Sequence, residues 1–215
     1  MCTRALRRAA AVAALALGLF AGPTVAEASY LAELSIEDRT DAAAYIVEGT
    51  VLEVWTELGT GGTVWTRARV RVDDQLKGDD LPSEVVVDSL GGRHGDLTMR
   101  VVGSAVFSEG ERLFVFLDEL GSGRLVPIGK FQGKLTVRRA PGEQRHHVMA
   151  WQARRVDDFD HRFLPHPEAG DRVYLDDVRD EVRARLESGE VSPVTGLSME
   201  EIERRNTPAR RRIER

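Results

Sequence analysis

The residues best suited to hold a metal ion are the histidines, and four of the five fall in two groups. His146 and His147 are adjacent, so in a strand they project to opposite faces and do not easily share an ion. His161 and His166 lie among Asp157, Asp158 and Asp160, a nitrogen and oxygen donor set that in principle suits a transition metal. No HExxH pattern accompanies them, and Pro165 and Pro167 argue for a solvated loop. Serine hydrolysis needs a nucleophile on a strained turn with a base in reach. Gly103-Ser104-Ala105 and Gly121-Ser122-Gly123 offer a serine, but neither completes G-x-S-x-G, and a hairpin turn accounts for Ser122. Asp176-Asp177 and Glu200-Glu201 are paired carboxylates on helical segments, where solvation is the default role.

A different chemistry is offered by Trp65, Arg67, Arg69 and Arg71, which alternate along one face of a strand. An aromatic with interleaved arginines on a barrel face can hold an anionic polymer. The competing reading pairs those arginines with acids on neighbouring strands, and the net charge of -5 favours it. From Arg204 onward six arginines face one glutamate, a tail that could attract an anionic surface or polysaccharide.

The elements that must position these groups are mostly strands. Ser35 followed by Asp38, with Leu34 before it, resembles a capping box and predicts a short helix from Ile36 to Ala44. Tyr45 to Trp55 changes to a β-branched and aromatic pattern, with Gly49 marking a bulge or bend. After the turn Gly59 to Gly62, Val64, Thr66, Ala68, Val70 and Val72 alternate with polar residues. Glu84 to Ser89 predicts a third strand, and Leu97 to Val102 an irregular one. Leu113 to Leu117 is continuously apolar and so a central strand. Gly121 to Gly123 turns the chain into Leu125 to Ile128, where Pro127 argues for an edge or a strand end. Lys134 to Arg138 and Val148 to Ala153 read as further strands. Leu175, Val178, Val182 and Leu186 recur at helical spacing, Glu181 and Arg185 form an i,i+4 pair, and Gly189 is a natural stop.

Turn signals every eight to fifteen residues, with no helix long enough for a parallel crossover, favour an antiparallel barrel, closed or partly open, or a sandwich. The expected fold is mainly β: a small antiparallel OB-like barrel with a short N-terminal helix and a C-terminal amphipathic helix. Four regions are expected. They are a signal peptide over 1–28, a barrel over 29–140, an extension with the amphipathic helix over 141–189, and a polar Arg-rich tail over 190–215.

The signal peptide rests on Arg4, Arg7 and Arg8, the apolar run Ala9 to Ala21, and the triplet Ala26-Glu27-Ala28. That run is too short to span a bilayer comfortably, which needs about 20 residues, so cleavage after Ala28 and an exported protein, periplasmic or extracellular, are expected. Cleavage removes Cys2, the chain's one cysteine, together with three arginines and one glutamate, taking the net charge from -5 to -7. A cysteine-free mature chain excludes a disulfide framework, a thiolate metal site and a cysteine nucleophile. Its acidic balance makes general nucleic-acid binding unfavourable.

The series Leu34-Ser35-Ile36-Glu37, Tyr45 to Val51, Val70 to Leu76 with Lys77-Gly78, Gly91-Gly92, Phe107 to Arg112 and Gly129 to Lys134 resembles a group of exported bacterial proteins. These in turn are similar to the netrin-like and tissue-inhibitor-of-metalloproteinases barrels. The resemblance covers about half of the chain and implies an oligonucleotide/oligosaccharide-binding fold. Inhibitors of that family chelate the protease zinc through an N-terminal cysteine, which this chain lacks after processing, so no site residue is carried over.

Together these readings lead to an exported, non-enzymatic binding module with no cofactor and no transmembrane segment after processing. Its expected partner is a protein, a secreted protease among them, or a polymer or anionic surface engaged through the Arg-rich tail. The alternative is a metal-dependent or other hydrolase of the cell envelope, using His161, His166 and nearby carboxylates.

Overall fold

The computed structural model describes residues 34–149 and 173–191. The expected signal peptide, the part of the expected Val148 to Ala153 strand beyond Met149, the loop from Asp157 to His166, Glu200-Glu201 and the Arg-rich tail beyond Val191 lie outside the described residues.

Helix α1 (Ile36–Ala42) starts at a complete capping box: the Ser35 hydroxyl accepts from the Asp38 amide at 3.0 Å, and the Asp38 carboxylate accepts from the Ser35 amide at 3.1 Å. It ends at Ala42, two residues before the expected limit, because the chain turns extended at Ala43. The Lys77 ammonium closes the C-terminus, donating to the Thr40 and Asp41 carbonyls at 2.6 and 3.2 Å.

Strands β1 (Tyr45–Leu58) and β2 (Val64–Lys77) form a long antiparallel hairpin. Its register slips three times, once at Glu48/Gly49, where the sequence places a bulge. Only glycine fits at that point, since a Cβ on Gly49 would lie 2.3 Å from the Arg71 carbonyl oxygen. β3 (Glu84–Leu90) pairs with β2, and β4 (Gly92–His94) with β5 (Leu97–Met99) makes a separate two-stranded sheet. The segment expected as a strand from Leu97 to Val102 is therefore half of a small hairpin, and Gly92, read as loop, opens its other half.

β6 (Arg112–Glu119), β7 (Leu125–Pro127), β8 (Lys134–Arg138), β9 (His147–Met149) and β10 (Val173–Tyr174) follow, and helix α2 (Leu175–Ser188) ends at a left-handed Gly189. Pro127 is the last residue of its strand, where its missing N–H does no harm. Pairings run β1–β2–β3–β7–β6, and β6 pairs again with β1, so five strands form a cycle of neighbours. From β6 the sheet continues through β8, β9 and β10. One pair departs from the antiparallel expectation: β3 meets β7 in parallel at Val87 and Leu125.

β6 explains why its sequence is apolar without alternation. Leu113, Val115 and Leu117 face one core cluster with Val47, Val51, Ala68, Val70, Val85, Val87 and Phe107. Phe114 and Phe116 face a second, with Ile46, Leu135, Val137, Val148 and the helix residues Leu175, Val178 and Val182. The strand is covered on both faces, and its five central residues are fully buried. Each such side chain contributes about 1.5–3 kcal/mol of hydrophobic stabilisation, enough to make β6 the axis of the fold.

α2 is held on that second face by charge as well as by its apolar stripe. Glu48 in β1 is 1% exposed and takes one carboxylate oxygen to Arg112 of β6 and the other to Arg179 of α2. Arg185, the expected partner of Glu181, reaches Asp41 of α1 at 2.7 Å and Glu190 at 3.2 Å. No helix of the described residues is long and apolar enough to cross a membrane.

Candidate functional site

The polar residues of β2 stand between two neighbours in register. Arg67 lies opposite Trp55 on β1 and Asp88 on β3, and Trp65 lies opposite Glu57 and Leu90. These side chains share the face directed away from the Val70 and Ala68 core, because residues two apart on a strand point the same way. The β6–β7 turn brings Arg124 to the same place, next to the β1–β2 turn at its other side.

The six groups lock together. Arg67 donates from Nε to Asp88 Oδ1 at 2.8 Å and from Nη1 to Glu57 Oε2. Arg124 donates to the same Asp88 oxygen at 3.2 Å and to Glu57 Oε1 at 3.1 Å. Two cations and two anions thus alternate around a closed ring. Above it the Arg67 guanidinium lies over the Trp55 ring at 5.4 Å from the centroid, and that of Arg124 over Trp65 at 5.0 Å. Trp55 and Trp65 are half-buried.

Burial differs across the ring and moves the two acids in opposite directions. Asp88 is almost completely enclosed, and burial raises its pKa against the opposing pull of Arg67 and Arg124. Glu57 is more open, and its hydrogen bonds from Arg67 and Arg124 lower its pKa.

The other arginines of the stripe are also paired. Arg69 meets Glu53 at 2.7 Å and Glu84 at 3.7 Å, and Arg71 meets Asp73 at 2.8 Å. The stripe is consequently neutralised in place rather than presented as a run of positive charge. Sequence pattern found Trp65 and the arginines. It missed Trp55 and Glu57, which are two residues apart on β1, and Asp88 and Arg124, which are brought in by tertiary pairing.

A cleft of about 280 Å³ lies between Thr66 near the start of β2, the end of β3, the β4–β5 hairpin and the segment from Ser104 to Phe107. Ser104 lines it, its hydroxyl donating to the Leu90 carbonyl, so the group acts as a loop tie. Gly92 lies on its floor with φ +131, where a Cβ would meet the Thr66 hydroxyl at 2.5 Å. Ser122 falls in the turn between β6 and β7.

The two adjacent histidines have different partners, His146 preceding β9 and His147 opening it. His146 Nε2 is 3.2 Å from Arg112, and burial followed by that cation lowers its pKa. His147 is 3.8 Å from Glu143. Asp176 and Asp177 open α2 and pair with Arg145 and Arg179, as solvated helix carboxylates do. Among the described residues no three histidine, cysteine, aspartate or glutamate side chains converge on a point where an ion could sit. His161 and His166, with Asp157, Asp158 and Asp160, lie outside the described residues.

The Trp55–Trp65 face can therefore present two oriented aromatic surfaces among fixed donors and acceptors. No family model matches this sequence, and no curated protein does.

Proposed function

We propose that this protein is an exported, non-enzymatic binding module that engages its partner through the face carrying Trp55 and Trp65. The observation that carries the reading is the ring of Arg67, Glu57, Arg124 and Asp88, which fixes both indoles at the rim formed by two turns. A partner meeting this face finds aromatic area whose orientation is already set, so little conformational entropy is lost on contact. The five-strand cycle with its parallel β3–β7 pair supports an OB-like barrel, a fold that binds ligands at the corresponding face and turns. The resemblance to netrin-like and protease-inhibitor barrels adds a secreted protease to the candidate partners. Export is supported by the basic, apolar and small-residue order of residues 1–28.

The test compares the processed chain with Trp55→Ala and Trp65→Ala variants, by surface plasmon resonance against immobilised envelope polysaccharides and purified secreted proteases. Binding by the parent that both variants weaken is the expected result. Equal binding by parent and variants removes the role of this face. Turnover of ester, peptide, phosphate or glycoside substrates that a single substitution abolishes would remove the non-enzymatic reading.

A further inference from the structure

We infer that the Trp55–Trp65 face takes an uncharged oligosaccharide chain, an inference that rests on the binding-module reading and narrows it to one ligand chemistry. Charge decides against a polyanion. Arg67 and Arg124 are each matched by Glu57 and Asp88, and Arg69 and Arg71 by Glu53, Glu84 and Asp73. A phosphate or sulfate group would have to displace carboxylates already bound, and would gain no counterion release from cations that are neutralised in the free protein.

Hydrogen-bonding capacity points to hydroxyl groups. A guanidinium carries five N–H donors and a carboxylate about four acceptor sites. Within the ring Arg67 donates through Nε and Nη1, and Arg124 through Nη1 and Nη2. Arg67 Nη2 and Arg124 Nε enter none of these four bonds, and the Glu57 carboxylate, 39% exposed, has acceptor sites beyond the two it uses. A sugar hydroxyl both donates and accepts, so it can join such a set without breaking any ring contact. The apolar C–H face of a pyranose supplies the matching surface for an indole with a polar edge.

A protein partner fits this face less well. Protein interfaces enrich Trp and Arg but deplete Glu, and here the Glu57 carboxylate, 39% exposed, with the exposed parts of Arg67 and Arg124, would have to lose water against apolar contacts. A glycan replaces that water with hydroxyls and leaves each charge hydrogen-bonded.

The experiment is native affinity electrophoresis of the processed chain in gels containing hydroxyethylcellulose, pullulan, xylan or galactomannan as neutral probes, with dextran sulfate as the polyanion. The expected result is retardation by a neutral probe that is unchanged from about 50 to about 500 mM salt and weakened about tenfold in Trp55→Ala and in Trp65→Ala. Trp55→Phe, which keeps an aromatic platform, is expected to retain most of the retardation, separating loss of contact from loss of folding.

Retardation by dextran sulfate alone, falling with salt and dependent on the two tryptophans, overturns the neutral-glycan inference and leaves the binding face standing. Tryptophan-dependent binding to a purified protease, with no neutral probe retarded, does the same. Absence of retardation by every neutral probe likewise overturns this inference. The binding-module reading falls only if the polysaccharide and protease panels also show nothing that depends on Trp55 or Trp65.

Discussion

Lys134 and Glu111 illustrate how a charged pair can be structural in this protein. Their side chains are 7% and 8% exposed and meet at 2.5 Å, and Thr136 donates to the same Glu111 oxygen at 2.5 Å. The ammonium also donates to the Val106 carbonyl at 2.6 Å, tying the loop before β6 to β8. Lys134→Met leaves Glu111 buried without its cation, and a loss of about 3–5 kcal/mol is expected in urea unfolding. Adding Glu111→Gln should recover most of that loss, because a neutral amide needs no counter-charge.

The two acids of the tryptophan face give a pH prediction of opposite signs. Burial raises Asp88, so its contribution to stability is complete below the ordinary aspartate pKa and is lost as pH rises through the raised folded value. Hydrogen bonds from Arg67 and Arg124 lower Glu57, so its contribution is present above the ordinary glutamate pKa and is lost as pH falls through the lowered one. Carbon-detected NMR titration should find Asp88 above and Glu57 below their ordinary values. Asp88→Asn should abolish the decline of stability between the ordinary aspartate pKa and the raised one, read from urea midpoints across that window.

At the level of elements, the β1–β2 crossing and the docking of α2 are the two places where one residue controls geometry. A methyl group at Gly49 would fall 2.3 Å from the Arg71 carbonyl oxygen and 2.6 Å from Val70 Cγ1. Gly49→Ala should therefore cost about 1–3 kcal/mol, as overpacking does. Gly121→Ala, with no atom within 4 Å of the added carbon, should stay within about 0.5 kcal/mol. For α2, Glu48 is the buried anchor and Arg179 its helix-borne partner. Arg179→Ala should cost about 1.5–3 kcal/mol, the worth of a hydrogen bond to a charged group. A double-mutant cycle with Glu48→Gln should show a coupling of about 0.5–3 kcal/mol.

For the whole molecule, the main consequence is that two core clusters share one set of strands. Phe116 belongs to the helix-covered cluster and Leu117 to the other, yet they are consecutive in β6. Unfolding one side therefore removes the support of the other. Phe116→Ala, which also loses the contact with Phe114 at a centroid distance of 5.4 Å, should cost about 3–5 kcal/mol. Its unfolding should remain one transition, with far-UV circular dichroism and tryptophan fluorescence coincident. Separate midpoints would mean that the tryptophan face and the helix-covered face fold independently.

What the amino-acid sequence determined about this protein is local. Ser35 and Asp38 define a cap, Gly189 a helix stop, and the alternation from Val64 to Val72 a half-buried strand, because each depends on backbone geometry within a few residues. Even Leu113 to Leu117 declared itself central, since a strand covered on both faces cannot alternate. Tertiary structure alone decided the partners. The parallel contact of Val87 with Leu125, and the ring joining Glu57, Arg67, Asp88 and Arg124, bring together residues up to 67 positions apart. No local rule fixes such pairs, because the register of distant strands is set only when both core faces are buried at once.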